Sequence, residues 1–217
     1  MLRGINLLAV LEKPKNRPSK WFRSLFAIYD LDDMVHLGLP WWTFDAVEFV
    51  ESFLEERKDA RVFEWGSGAS TIWLSKHSSE VVSVEHDPKW SERVGCLIEN
   101  FSNTTLKAVP PKLSGCIRSN RKGYEDQFFD DYVQSIHEEE GKFDLIVIDG
   151  RARESCLTEA AKKLAEGGYI LFDDTKRICY QTAIKKSGLR QRRLSGLAVC
   201  LPLPDATDLL SHPMSCQ

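Results

Sequence analysis

The run Val62-Phe63-Glu64-Trp65-Gly66-Ser67-Gly68-Ala69-Ser70-Thr71 carries an apolar segment into a glycine turn and then into a segment of helical character. Glycines in such a turn lack a Cβ, so a ligand can lie against the backbone, faced by free N–H groups and the N-terminus of the next helix. Glu85 closes the following apolar segment, Val81-Val82-Ser83-Val84. A carboxylate there can accept both hydroxyls of a ribose, so the turn and the acid together point to an adenosine-containing ligand. Three further carboxylates close later apolar runs: Asp149 after Phe143–Ile148, and Asp173-Asp174 after Tyr169–Phe172.

Strand ends in an open α/β fold gather at one edge of the sheet, where ligands bind. Asp149 and Asp173 are therefore the candidate catalytic groups. Asp149, Asp173 and Asp174 also form a set of hard oxygen donors that would suit Mg2+, Ca2+ or Mn2+. A simpler reading fits the same residues: Asp149 or Asp173 touches the ligand or acts alone, and Asp174 caps the next helix. Arg151 and Arg153 follow Asp149-Gly150 directly, and Arg118, Arg121 and Lys122 lie in the preceding loop. Guanidinium forks at a pocket can grip a substrate carboxylate or phosphate, which makes Arg151 and Arg153 candidate substrate contacts. Arg151 suits neutralisation of the aspartates equally well.

The elements that must position these residues follow from periodicity and punctuation. Ala46, Val47, Phe49, Val50, Phe53 and Leu54 recur at helical spacing, predicting a helix over 44–58. Strands are expected at 61–64, 81–85, 104–109, 143–149 and 169–172, alternating with helices at 70–76, 88–100 and 125–139 and one closed by Gly167-Gly168. A helix near 177–187 and strands at 189–194 and 196–201 would complete the chain as an antiparallel pair. This alternation implies an α/β fold, a Rossmann-like three-layer sandwich around a mostly parallel seven-stranded sheet with a C-terminal antiparallel strand. Trp41-Trp42, before the first long helix, fits either a lid over the ligand or a place in the core.

With 217 residues, 42% hydrophobic and 28% charged, the chain has the composition of a globular protein with one principal domain. Its net charge of −3 exerts no general pull on nucleic acid and does not set the substrate class; a small-molecule substrate, with no nucleic acid partner, is the expectation. The six cysteines are scattered without zinc or disulfide spacing, and reduced thiols in a cytoplasmic protein are the expectation. Ile5–Leu11 is too short and polar-interrupted for a signal peptide, and no run approaches the length of a transmembrane span. Residues 1–40 read as a basic arm and cap; over the first 29, Arg3, Lys13, Lys15, Arg17, Lys20 and Arg23 are set against Glu12, which fits a flexible, solvated arm or docking on an anionic surface. Residues 41–204 read as the ligand-binding domain, and 205–217 as a flexible tail.

Glu64-x-Gly66-x-Gly68 resembles motif I of the class I S-adenosylmethionine (SAM) dependent methyltransferases, and Ser83-Val84-Glu85 resembles their acidic second motif. The resemblance spans about residues 60–200 and implies a methyltransferase acting on an oxygen of a small or carbohydrate-like acceptor. It places Glu64, Gly66 and Gly68 along the methionine portion of SAM, Glu85 at the ribose and His86 near the adenine. Ser67, Ser70 and Asp149 complete the expected cofactor contacts, Ser70 standing where a third glycine is frequent. The strand-end aspartates are similar to those of metal-dependent O-methyltransferases related to catechol and caffeoyl-CoA methylation, except that Asp174 stands in place of Asn. A SAM-binding protein without catalysis is one alternative. An NAD(P)-dependent oxidoreductase is another, but its fingerprint wants a small residue at the sixth position, which here is Thr71.

Overall fold

The computed structural model describes residues 16–28 and 30–213. Seven strands form one sheet in the order β3-β2-β1-β4-β5-β7-β6. They are β1 (Arg61–Trp65), β2 (Glu80–Glu85), β3 (Thr104–Ala108), β4 (Phe143–Ile148), β5 (Leu164–Phe172), β6 (Arg190–Gly196) and β7 (Asp205–Ser211). The pairs β1–β2, β2–β3, β1–β4 and β4–β5 are parallel, and β7 runs antiparallel to both β5 and β6. The expected Rossmann-like class, with its mostly parallel sheet and antiparallel C-terminal strand, is the architecture observed.

Period-two alternation divides the core between the two faces of the sheet. Phe63, Trp65, Val82, Val84, Ile146, Ile148, Ile170 and Phe172 pack on one side; Val62, Val81, Leu145, Val147, Leu171 and Leu209 pack on the other. The second side is covered by α3 (Phe44–Glu56) and α4 (Ala69–His77), and the first by α7 (Arg153–Lys163) and α8 (Ile178–Ser187). Parallel strands buried on both faces read as continuous apolar runs, which is why β4 was the most legible of them. The chain travels outward from β1 through β2 and β3, then returns to β4 on the other side of β1. This reversal opens a crevice beyond the carboxyl ends of β1 and β4.

Several expectations need correction. Residues 205–211 are not a loose tail: β7 lies between β5 and β6, and Leu209 and Leu210 are buried. Pro202 and Pro204 obscure the strand in the sequence, and so does Asp208, a charge at a fully buried position. Its carboxylate is satisfied by Arg193 Nε at 3.1 Å, Gln191 Nε2 at 2.8 Å and Gln181 Nε2 at 3.0 Å. The strand expected at 196–201 is instead a connection, tied to the main domain by Phe44 N to Leu197 O and Val199 N to Trp42 O, both 3.0 Å. Gly167-Gly168 does not cap a helix. The helix ends at Lys163, and the glycines lie inside β5, where the register with β4 shifts and Gly167 takes φ +69°. The helix expected at 125–139 is reduced to α6 (Asp130–Gln134) and a 3-10 turn, Ser135–Glu138.

The described residues before 41 are also more ordered than a solvated arm. Asn16 caps α1 (Arg17–Ser24), and Asp30 caps α2 (Leu31–Leu37), which ends at Gly38 in the left-handed conformation. Arg17 pairs with Asp45 and Glu48 of α3, Trp21 Nε1 donates to Leu201 O at 2.8 Å, and Met34 is fully buried beside Phe44, Val199 and Cys200. Arg3, Glu12, Lys13 and Lys15 lie outside the described residues, as do 214–217 of the expected tail. The five described cysteines are free, and no described helix is long and apolar enough to cross a membrane.

If β7 is a core strand, Leu209→Ala should lower stability in urea denaturation by about 2–5 kcal/mol, the cost of truncating a buried leucine. A loss under about 0.5 kcal/mol, the range of surface substitutions, would return this segment to the status of a tail.

Candidate active site

Glu64 stands in β1 directly opposite Ser83 in β2, and the alternation of β1 turns its side chain to the face covered by α4. The carboxylate is fully buried and accepts three side-chain hydroxyls: Ser70 Oγ at 2.5 Å, Thr71 Oγ1 at 2.6 Å and Ser83 Oγ at 2.6 Å. Burial pushes its pKa up to about 7, against the opposing pull of the three hydrogen bonds. Thr71 Oγ1 also accepts from Gly68 N at 3.0 Å, so one hydroxyl ties the turn to the buried acid. Thr71 thus uses its hydroxyl for both bonds at the position where a dinucleotide fingerprint would have a small residue.

The turn itself is shaped by close backbone contact. Gly66 has φ +98°, and a Cβ there would come within 2.7 Å of Gly150 backbone atoms. Gly150 faces Gly66 in turn and has Tyr132 Oη behind it. Only a glycine pair lets the ends of β1 and β4 meet this closely. Gly68, by contrast, has no protein atom within 4 Å of where its Cβ would be. It faces a cavity of about 370 Å3 at the carboxyl edge of the sheet.

Of the residues singled out from the sequence, Gly66, Ser67, Gly68, Ser70, Glu85, His86, Asp149, Arg151 and Arg153 all line this cavity. Glu85 is 3% exposed. Its carboxylate accepts from the backbone N–H groups of His86 and Asp87, each at 2.8 Å, and from Ser67 N at 3.1 Å, with Ser67 Oγ the longest contact at 3.3 Å. His86 Nδ1 lies 2.6 Å from the same carboxylate, and Nε2 is 3.0 Å from Tyr124 Oη.

Glu64, Asp173 and Asp174 are not on the cavity wall. Asp173 accepts from Thr207 Oγ1 at 2.6 Å, and Asp174 pairs with Arg177. Asp149, which does reach the cavity, is held by Arg153 Nη2 at 2.8 Å. Burial raises the pKa of Asp149, with Arg153 pulling the other way; burial and the charge of Asp149 raise that of Asp173 well above the usual range. The three aspartates thus share an edge of the sheet but turn to different partners. Among the described residues no group of three His, Cys, Asp or Glu side chains is arranged to hold a metal ion. The expected divalent-cation set does not assemble.

Arg153, expected as a substrate contact, is on the cavity wall with its guanidinium already engaged by the protein. Its guanidinium donates to Asp149 O, Asp173 O and Gly150 O at 2.9, 2.7 and 3.1 Å, besides the Asp149 carboxylate. It clamps the ends of β4 and β5. The tryptophan pair divides its functions: Trp42 is fully buried in the core, and Trp41, 43% exposed, lines the cavity.

Leu31, Trp90 and Tyr124, which no sequence motif marks, are further parts of the wall, and Arg121 joins them from the loop. Trp90 Nε1 donates to Ser67 O at 2.8 Å and braces the glycine turn. Its position in the first turn of α5 (Pro88–Ile98), just after the acid-bearing strand, was the available signal.

Residues 63–175 match the family model described as a methyltransferase domain. No curated protein matches the chain in a sequence search. Among solved structures, the N-methyltransferase NodS from Bradyrhizobium japonicum WM9, in complex with S-adenosyl-L-homocysteine (SAH), superposes with a TM-score of 0.54 at 15% identity, covering 89% of this chain and 98% of that one. An rRNA methylase from Streptococcus thermophilus gives a TM-score of 0.54 at 11% identity, with 77% and 96% covered. A methyltransferase-like protein from Streptococcus mutans, SMU.1697c, also in complex with SAH, gives 0.52 at 11% identity, with 76% and 96% covered. At these identities the likeness is one of fold.

The buried Glu64 makes a pH prediction. With a pKa of about 7 in the fold against an ordinary 4.5, Glu64 holds a proton that the unfolded chain releases between those values. Its ionisation therefore carries no penalty below about pH 4.5 and a full penalty of about 3 kcal/mol above pH 7. Glu64→Gln cannot titrate, so its stability relative to wild type should rise by that order between pH 4.5 and pH 8 in urea denaturation. A difference independent of pH would show that Glu64 is ionised at no cost.

Proposed function

The chain belongs to the methyltransferase-domain family, as a SAM-dependent enzyme of the class I fold, and from that premise we propose that it binds SAM in the cavity at Gly66–Ser70 and Glu85 and methylates an oxygen of a small acceptor. The observation that carries this reading is the convergence, on one cavity wall, of the open glycine turn, the Glu85 carboxylate and Asp149. The donor set fits the cofactor. Glu85 is fixed by three backbone N–H groups, and the long Ser67 Oγ contact is the one that a ribose hydroxyl would replace. Gly68 offers backbone with nothing packed against it.

SAM supplies an electrophilic sulfonium methyl when bound there. The chain's own residues align the acceptor, exclude water and move a proton. Asp149, with its raised pKa, is the candidate base for the acceptor hydroxyl, and Arg153 keeps its carboxylate oriented. Trp41 and Leu31 from the N-terminal segment and Tyr124 from the loop after β3 close the cavity on sides the sheet leaves open. An enclosure of this size, on a chain of net charge −3, favours a small acceptor over a nucleic acid.

Calorimetry should show SAH binding in the micromolar range, about −8 kcal/mol, with Glu85→Ala weaker by about 1–3 kcal/mol. With hydroxyl acceptors and SAM, Asp149→Asn should lower kcat by about 100-fold or more while changing SAH affinity little. Undiminished turnover in Asp149→Asn would remove the base. Mass spectrometry placing the methyl group on nitrogen would contradict O-methylation while leaving the cofactor site intact.

A further inference from the structure

Positive charge is paired unevenly around the cavity. Arg153 is committed to Asp149, and Arg177 to Asp174. Arg121 and Arg151, both on the cavity wall, form no ion pair among the described residues. Arg151 Nε is buried without a hydrogen-bond partner, and Nη1 reaches Gly150 O only at 3.4 Å. The ring of Tyr124 faces this guanidinium, its centroid 5.3 Å away, and the Asp149 carboxylate acts on it at longer range than an ion pair. Tyr124 N donates to Arg121 O at 3.3 Å, so the same short stretch of loop presents Arg121 and braces Arg151.

The two arginines meet at a narrow recess of about 20 Å3 beside the main cavity, which shares Arg121, Gly150, Arg151 and Arg153 with it and adds Arg177. The one acid on the recess wall, Glu154, accepts from Asn120 Nδ2 at 2.5 Å and forms no ion pair with these arginines. The recess adjoins the first turn of α7, where Ala152 at the N-cap has no side chain to accept an N–H. An anion at the junction of recess and cavity would meet two unpaired guanidinium groups and would satisfy a donor that is otherwise buried and unmade.

We propose that the methyl acceptor carries an oxyanion, a carboxylate or a phosphate, which Arg121 and Arg151 hold at this junction while the acceptor hydroxyl lies toward Asp149. The inference rests on the SAM-binding reading of the main cavity and adds the chemical class of the acceptor. Arginine is suited to the task because its planar fork matches both oxyanions, and a desolvated guanidinium gains more from such a partner than a solvated one. The anion gives the enzyme a handle remote from the reacting hydroxyl, which is how binding energy is turned into alignment.

The test is calorimetry on the full chain with inorganic phosphate and with acetate at constant ionic strength, each with and without SAH, for wild type and for the double variant Arg121→Gln/Arg151→Gln. The expected result is saturable binding of at least one anion to wild type, weakened about 10-fold or more in the double variant, about 1.4 kcal/mol, with SAH affinity unchanged. The preferred anion distinguishes a phosphorylated from a carboxylated acceptor. Absence of saturable anion binding, or equal binding by the double variant, would overturn the proposal. Loss of SAH affinity in the double variant would overturn it as well, because the arginines would then serve the cofactor. A wild-type chain that binds phosphate but not SAH would contradict the cofactor reading and leave the anion site standing.

Discussion

A carboxylate buried between a sheet and a helix is the constraint on which the rest of the site depends. Among the described residues no cation pairs with Glu64; three hydroxyls from β1's neighbour strand and from the first turn of α4 take that place. Those hydrogen bonds fix where α4 starts relative to β1, and Thr71 extends the same network to the Gly68 amide. The turn between is thereby held open, with its backbone toward the cavity. The arrangement would fail without the Gly66–Gly150 contact, since any side chain at either position would push the ends of β1 and β4 apart. An acid that a motif-level reading assigns to the cofactor thus acts from behind the turn, as a positioning residue.

Charge at the carboxyl edge is organised by similar economy. Arg153 occupies the space between the ends of β4 and β5, donating to three backbone carbonyls and to Asp149. A single guanidinium there satisfies strand-end carbonyls that have no ladder partner and sets the direction of Asp149, which of Asp149, Asp173 and Asp174 is the one on the cavity wall. Asp173 and Asp174 are drawn away to Thr207 and Arg177. Proximity along strand ends did not produce a cluster, because each carboxylate found a nearer donor than its neighbours' shared centre.

The parallel half of the sheet and the glycine turn were legible in the sequence because both are local: apolar runs ended by acids, and a turn demanding residues without Cβ. Of the wall residues, Gly66, Gly68, Glu85 and Asp149 follow from that pattern, and Ser67, Ser70 and His86 from the family resemblance it carries. What was not legible depends on pairing across the fold. β7 carries a buried aspartate that makes sense only beside Arg193 and Gln191 of β6, so its sequence reads as a polar tail. The N-terminal helices are short and the first of them is basic, and the order of that helix comes from long-range partners such as Asp45, Glu48 and the Leu201 carbonyl. The inward direction of Glu64 required knowing the register that sets it opposite Ser83. Trp41 and Trp42 show the same limit, since adjacent residues of one type went to solvent-facing wall and core respectively.

A crystal structure of the chain with SAH bound is the decisive measurement for this arrangement. It should place the homocysteine portion along Gly66–Gly68 and the ribose hydroxyls on Glu85, in exchange for the Ser67 Oγ contact, with the Glu64 carboxylate still bound by Ser70, Thr71 and Ser83. SAH bound away from Glu85, or a Glu64 side chain swung out to touch the ligand, would contradict it.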